Sequence, residues 1–195
     1  AEIPGWNFNE VRQASSDIWN QALGQIAVKG NNEKEMVKFY SALYNAHFLP
    51  RAFSDVDGSY PRFDGDGQIM KMDHGTYYCD FSQWDTYRAV HPLFSILTPS
   101  RNGDMAHSLV LKGQQGGWLP IFPSWNSYTA AMIGDHCIAM IGDAIVKDTP
   151  GFDYEEAYTL MRKNAFEANP DSGSYRDGKG RRAMESYLKY NYVPL

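Results

Sequence analysis

A basic surface is the first thing missing from this chain. Its 195 residues carry 18 Lys and Arg against 23 Asp and Glu, a formal charge of −5 with an isoelectric point near 5.5. The densest run of cations is Lys179 to Arg182. Binding to a phosphate backbone or an acidic lipid surface needs a clustered basic footprint, so neither nucleic acid nor such a membrane surface is an expected partner. Long apolar runs are missing too. No uncharged stretch of 18 apolar residues exists, and the opening AEIPGW has neither the basic nor the apolar part of a secretory leader, so no spanning segment and no signal peptide are expected here. Cysteine is scarce. Cys79 and Cys137 both sit in aromatic or apolar surroundings, which favours buried thiols over a disulfide or a metal site. Repeats of 20 to 50 residues, low-complexity tracts and a clear domain boundary are also lacking, so residues 1–195 read as a single piece.

What is present is core material, at 43% hydrophobic and 14% aromatic residues, enough for one folded domain. Val11, Ile18, Trp19, Ala22 and Ile26 fall on one face at helical spacing, predicting a first helix over 9–29 that stops at Gly30. Asn32 with Glu35 opens a second, striped by Met36, Phe39, Tyr40, Leu43 and Tyr44 and ended by Pro50. Residues 53–75 break this pattern. Their Asp-Gly pairs and the alternation of Gln68 to Met72 predict a small β-hairpin insertion near 60–76. Asp55, Asp57, Asp64 and Asp66 read as turn residues, because an EF-hand loop needs glycine at its sixth position and these registers place Tyr60 or Ile69 there.

The stretch 79–99, CDFSQWDTYRAVHPLFSILTP, is the piece around which the rest is expected to be arranged. It predicts a helix started by Ser82 and Asp85 as a capping box and kinked or divided at Pro92. Asp104 is expected to cap a short helix ending in the QQGG of 114–117. An unusually apolar loop, 117–129, must then pack into the core or line a pocket. A helix over 129–147, apolar on nearly all faces and interrupted by Asp135 and His136, is expected to be buried all round. Asp153 with Glu156 opens an amphipathic helix that ends before Pro170; 169–180 reads as a linker, and a last helix runs over 181–190. Amphipathic helices alternating with more fully buried ones suggest a mainly α fold of helical hairpins, a partial (α/α)6 toroid. A complete toroid takes roughly 300 residues at about 25 per helix and loop, so about half of one is expected.

The runs CDFSQWDTYRAVHPLFSILTP, GGWLPIFPSWNSYTAAMIGDHCIAMIGDAIVKD and GFDYEEAY resemble glycoside hydrolase family 92, the calcium-dependent exo-acting α-mannosidases. The resemblance covers most of the chain. It implies the first half of an α/α-barrel catalytic domain, with the preceding β-sandwich and the C-terminal half of the barrel absent. The family's general acid Glu and its Gly-Asn-Asp-Asp-type motif carrying the base do not occur before Leu195, so no catalytic carboxylate and no calcium ligand is expected here. An inverting glycosidase needs an acid and a base some 6.5 to 9.5 Å apart, and the chain alone is expected to be inactive. The resemblance implies removal of terminal mannose from glycans by an α-1,2-mannosidase-like enzyme, a secreted, periplasmic or cell-surface location, and self-association through exposed inner-helix surface such as 132–146.

Implied pocket residues are Trp84, Asp85, Trp118, Asp135 and His136, all but Asp135 with a structural alternative. Asp85 either orients sugar hydroxyls or caps its helix, and Trp84 either stacks on a sugar or packs in the core. Trp118 divides between loop packing and pocket wall, while His136 on an apolar helix also reads as a satisfied core imidazole. Arg88 is placed for an i, i+3 pair with Asp85, and His47, His91 and the methionines read as structural. Two alternatives remain at this level: a non-catalytic carbohydrate-binding or scaffold protein of toroid fold, and another α/α-toroid glycosidase with a different sugar preference.

Overall fold

The structure, a computed structural model, describes residue 3, residues 5–171 and residues 178–194. It is mainly helical, with two small two-stranded sheets, and divides into two compact units at 1–48 and 49–195.

The first unit is a pair of helices, α1 (Phe8–Leu23) and α2 (Glu33–Ala46). Each begins on an asparagine whose side chain accepts a backbone N–H two residues on, Asn7 from Asn9 and Asn32 from Lys34, satisfying one of the free donors of a helix start. Trp19 meets the edge of Tyr44 with centroids 4.4 Å apart. The Tyr40 hydroxyl donates to Ile26 O and accepts from Val28 N–H, pinning a connection that helical periodicity alone would place inside α1.

The second unit starts with β1 (Arg51–Ala52), β2 (Ser59–Pro61), β3 (Ile69–Lys71) and β4 (Tyr78–Cys79). Antiparallel pairing of β2 with β3 is the expected hairpin, and β1 pairs with β4 outside it. The acidic residues act as turn formers: Asp57 accepts from the Ser59 N–H and hydroxyl, and Asp66 accepts from Gln68 N–H.

Helices α3 (Gln83–Thr86) and α4 (Val90–Leu97) show that the predicted central helix is divided, but at 87–89 rather than at Pro92. Pro92 lies in the first turn of α4, where its missing N–H costs nothing. Helix α5 (Pro99–Gly116) is one long helix with Pro99 at its start. The expected short helix capped by Asp104 is therefore replaced; Asp104 lies inside α5 and its carboxylate accepts from Thr76 N–H at 3.1 Å. Two further side chains of α5 satisfy β4, since Ser108 accepts from Tyr78 N–H at 2.8 Å and the buried Lys112 donates to Tyr78 O at 2.5 Å. Burial pulls the Lys112 amine down to about 7; the Tyr77 ring 3.6 Å from Nζ favours its charged form.

Helix α6 (His136–Val146) begins seven residues later than the periodicity predicts. Gly134 has φ +98°, a left-handed conformation that ends helical continuity, so Ile133 is turned out and 67% exposed rather than buried. Helix α7 (Tyr154–Phe166) begins on Asp153 as expected, the carboxylate accepting from the N–H groups of Glu155 and Glu156. Of the linker-like stretch, 172–177 lie outside the described residues. Its flanks are held: Asn169 donates to Lys179 O, and Lys179 pairs with Asp64 at 2.6 Å. Helix α8 (Met184–Tyr190) closes the described chain.

The main core of this unit joins Phe81, Phe94, Met105, Leu109, Leu119 and Ile141, all fully buried. Each such side chain contributes about 1.5–3 kcal/mol on removal from water. Both cysteines are free and buried, as expected. Among the described residues no helix is long and apolar enough to cross a membrane.

Candidate functional site

The short helix α3 is fastened to the apolar loop that follows α5. Phe81 N–H donates to Pro123 O, and the fully buried Gln83 amide, in the orientation that satisfies it, donates to Pro120 O and Ile121 O at 3.3 and 3.2 Å. With Gln83 and Thr86 turned inward, Trp84 and Asp85 are left outward on the same turn. Trp84 is 36% exposed, and Asp85 is exposed with one carboxylate oxygen accepting the Ser82 hydroxyl at 2.6 Å. The predicted capping box is not formed: α3 has no side-chain cap, and Ser82 donates to the carboxylate instead of the carboxylate reaching backbone.

Arg88 differs from expectation as well. Because α3 ends at Thr86, helical i, i+3 geometry does not carry Arg88 to Asp85. Its guanidinium lies 4.3 Å from the Trp84 ring centroid and 4.9 Å from that of Tyr87, and it donates to Trp84 O. Tyr87 in turn stacks on His136, centroids 4.4 Å apart and planes 9° from parallel. The ladder Trp84, Arg88, Tyr87, His136 thus joins α3 to the start of α6, a cation between aromatic faces followed by a parallel ring pair. His136 is a stacked, half-buried imidazole, and a Cβ added to Gly134 would meet its Nε2 at 2.5 Å. Only glycine at 134 leaves room for that ring.

Asp135, immediately before it, lines a cleft of about 480 Å³ with Ile121, Ile133, Gly134, Arg181 and Arg182. Its side chain is only 8% exposed, and Oδ2 accepts from Arg181 Nε at 2.7 Å. The other oxygen, Oδ1, is buried without a hydrogen-bond partner among the described residues. Burial raises the carboxyl above the usual carboxylate range, against the opposing pull of Arg181. Trp118 lies apart from this ladder. It is buried against Phe63 and Tyr128, its ring covered by Lys163 at 4.6 Å and by Gly180.

Four of the five expected residues therefore occupy two adjoining packed segments, α3 and the start of α6, while Trp118 packs with Phe63 and Tyr128. Sequence reasoning missed Tyr87 and Arg181. The Lys179 to Arg182 run was its visible signal for the latter; for Tyr87 there was none beyond its place in the aromatic stretch. Chemically, an outward indole beside a half-used carboxylate suits a polyhydroxylated ligand, whose C–H face lies on the ring while its hydroxyls donate to the acid.

The profile of the glycosyl hydrolase family 92 catalytic domain matches residues 1–195. The chain belongs to glycosyl hydrolase family 92. Among solved structures it is similar to a family 92 α-mannosidase from Bacteroides thetaiotaomicron in complex with mannoimidazole, at 34% identity and TM-score 0.85 over 99% of this chain. It is also similar to a family 92 inverting mannosidase from Bacteroides thetaiotaomicron VPI-5482, at 28% identity and TM-score 0.87 over 99% of this chain. The chain spans 24% and 26% of the length of these two proteins. No curated protein matches it.

Proposed function

We propose that this chain supplies the mannose-recognition face of an exo-acting α-mannosidase, α-1,2-mannosidase-like, as the N-terminal half of an (α/α)6 toroid. The observation that carries this reading is the outward pair Trp84 and Asp85 on an α3 anchored by buried Gln83. A family 92 relative is solved with mannoimidazole, which supports a mannose-shaped ligand. In this reading Trp84 covers the apolar face of the terminal sugar, Asp85 accepts its hydroxyls, and Asp135 with His136 borders the same pocket. Arg88 and Tyr87 position rather than react. Trp118 backs the pocket wall.

Proton transfer belongs to an acid and a base that this chain does not contain, so the chain alone binds weakly and releases no mannose. The β-sandwich and the C-terminal half of the barrel complete the pocket, in a secreted, periplasmic or cell-surface enzyme. Exposed apolar residues such as Ile133 and Val146, 67% and 81% exposed, favour self-association of the chain by itself. Calcium, implied by the family, does not fit the ion-binding side chains here. Among the described residues the one such cluster is Asp73, His74 and His107, and calcium takes oxygen ligands. No step is assigned to it.

Titration of the 195-residue chain with mannose and with α-1,2-mannobiose, followed by amide shifts in NMR, tests the reading. Millimolar binding with shifts centred on α3 and 133–136, lost in Asp85→Asn, is expected. Shifts elsewhere, or binding untouched by that substitution, overturn it. Extension of the polypeptide to its relatives' length separates enzyme from non-catalytic binder: mannose release is expected, and binding without turnover selects the binder.

A further inference from the structure

The turn between β3 and β4 faces α5 through a set of side chains that the sugar reading leaves unused. Asp73 and His74 on the turn and His107 on α5 each present a ligand atom, and these atoms lie within 4.8 Å of one another. Three features prearrange them. Thr76 N–H donates to Asp104 Oδ2, and a Cβ on Gly75 would meet Asp104 Oδ1 at 2.2 Å, so the turn is seated on α5 by an approach that glycine alone permits. The His74 ring stacks on that of His107, centroids 4.8 Å apart. His74 Nε2 lies 3.0 Å from Gly151 O in the loop before α7, and Nδ1 lies 3.0 Å from Asp73 Oδ1.

The donor chemistry follows from these contacts. Carbonyl and carboxylate oxygens only accept, so without an ion both ring nitrogens of His74 face acceptors; a metal held between Nδ1 and Asp73 Oδ1 would take the place of the Nδ1 proton, while Nε2–H stays on Gly151 O. An imidazole N–H bonded to a backbone carbonyl is the usual support behind a metal-ligating histidine, fixing both tautomer and ring orientation. His107 adds an independent observation: its Nδ1 is buried and has no hydrogen-bond partner among the described residues, a costly state that ligation through Nδ1 would relieve.

We propose that Asp73, His74 and His107 bind a divalent transition-metal ion of the zinc class, cross-linking the β3–β4 turn to α5. Two imidazoles and one carboxylate are a donor set for zinc, cobalt or nickel, with a water in the remaining position, and are poor for calcium or magnesium. Zinc bonds of about 2.0–2.2 Å bring two ligand atoms to roughly 3.5 Å of each other, so a small side-chain rotation of His74 or the exposed Asp73 closes the set. The site is separate from α3 and does not rest on the mannosidase reading.

The test is calorimetric titration of the 195-residue chain with zinc chloride in a non-chelating buffer, with cobalt(II) absorption as a second readout. One zinc per chain with micromolar affinity, a rise in melting temperature at saturating zinc, and a visible cobalt band are expected, with no heat from calcium chloride at the same concentration. His74→Gln, at an exposed position, should weaken zinc at least tenfold and abolish the cobalt band, and His107→Gln should do the same. Three other histidines, His47, His91 and His136, are present to bind adventitiously. Unchanged zinc affinity in folded His74→Gln, or calcium binding as tightly as zinc, overturns the proposal, whatever becomes of the His107 variant.

Discussion

Arg181 Nε donates to Asp135 Oδ2 at 2.7 Å across 46 residues of sequence, tying the segment before α8 to the N-terminus of α6. The carboxylate is nearly enclosed while the guanidinium is 40% exposed. Removing the cation strands a buried charge. Arg181→Met should therefore destabilise the second unit by about 1–3 kcal/mol, below the roughly 3–5 of a wholly buried pair because solvent screens the arginine. In an Asp135→Asn background the same change should cost little, and a double-mutant cycle in urea measures the coupling. Additive effects would deny the pair any energetic role.

Asp85→Asn distinguishes ligand binding from helix support. Since α3 carries no side-chain cap, the substitution should move stability by less than about 0.5 kcal/mol. In a polypeptide of the relatives' length, losing a charge-assisted bond to sugar hydroxyls should lower kcat/KM by roughly 10 to 150-fold. A lowered melting temperature with unchanged kcat/KM would make Asp85 structural.

Two glycines of similar φ separate backbone strain from packing. Gly75 (φ +68°) has the Asp104 carboxylate 2.2 Å from its would-be Cβ, whereas Gly65 (φ +64°) has nothing within 4 Å. Alanine at 65 should cost about 1 kcal/mol for the left-handed backbone alone. Gly75→Ala should cost clearly more, roughly 2–4 kcal/mol, because Thr76 loses its acceptor as well. Equal losses in thermal melts would show that Asp104 yields freely.

His91 predicts acid sensitivity. It is 1% exposed, its Nδ1 is 3.3 Å from Asn102 Oδ1, and burial pulls it down to about 4. The unfolded chain protonates this residue near 6.5 and the folded chain does not, so stability is lost as pH falls from 6.5 towards 4. At about 1.4 kcal/mol for each pH unit across that window, the full loss comes to roughly 3 kcal/mol. Urea midpoints at pH 7 and pH 5 should lie closer together for His91→Leu than for the wild type; identical pH slopes would remove His91 as the cause.

What the sequence by itself determined was local or chemical in kind. Asn32 and Asp153 start their helices as read, because an N-cap needs only a short polar side chain within three residues of the donors it satisfies. The Asp and Gly residues of 55–67 form turns for the same reason, and the blocks around Trp84 and Trp118 carried the family. Tertiary structure decided what depends on partners far along the chain. Apolar periodicity over 129–147 predicts one buried helix, yet Gly134 turns left-handed where it leaves space for the His136 ring, which stacks on Tyr87. Asp104 reads locally as a cap because its target, Thr76 N–H, is 28 residues away. Arg88 takes the faces of Trp84 and Tyr87 over Asp85 once α3 ends a turn early. In each case local spacing names the donors and rings available, but which of them meet is set by the packing of distant segments.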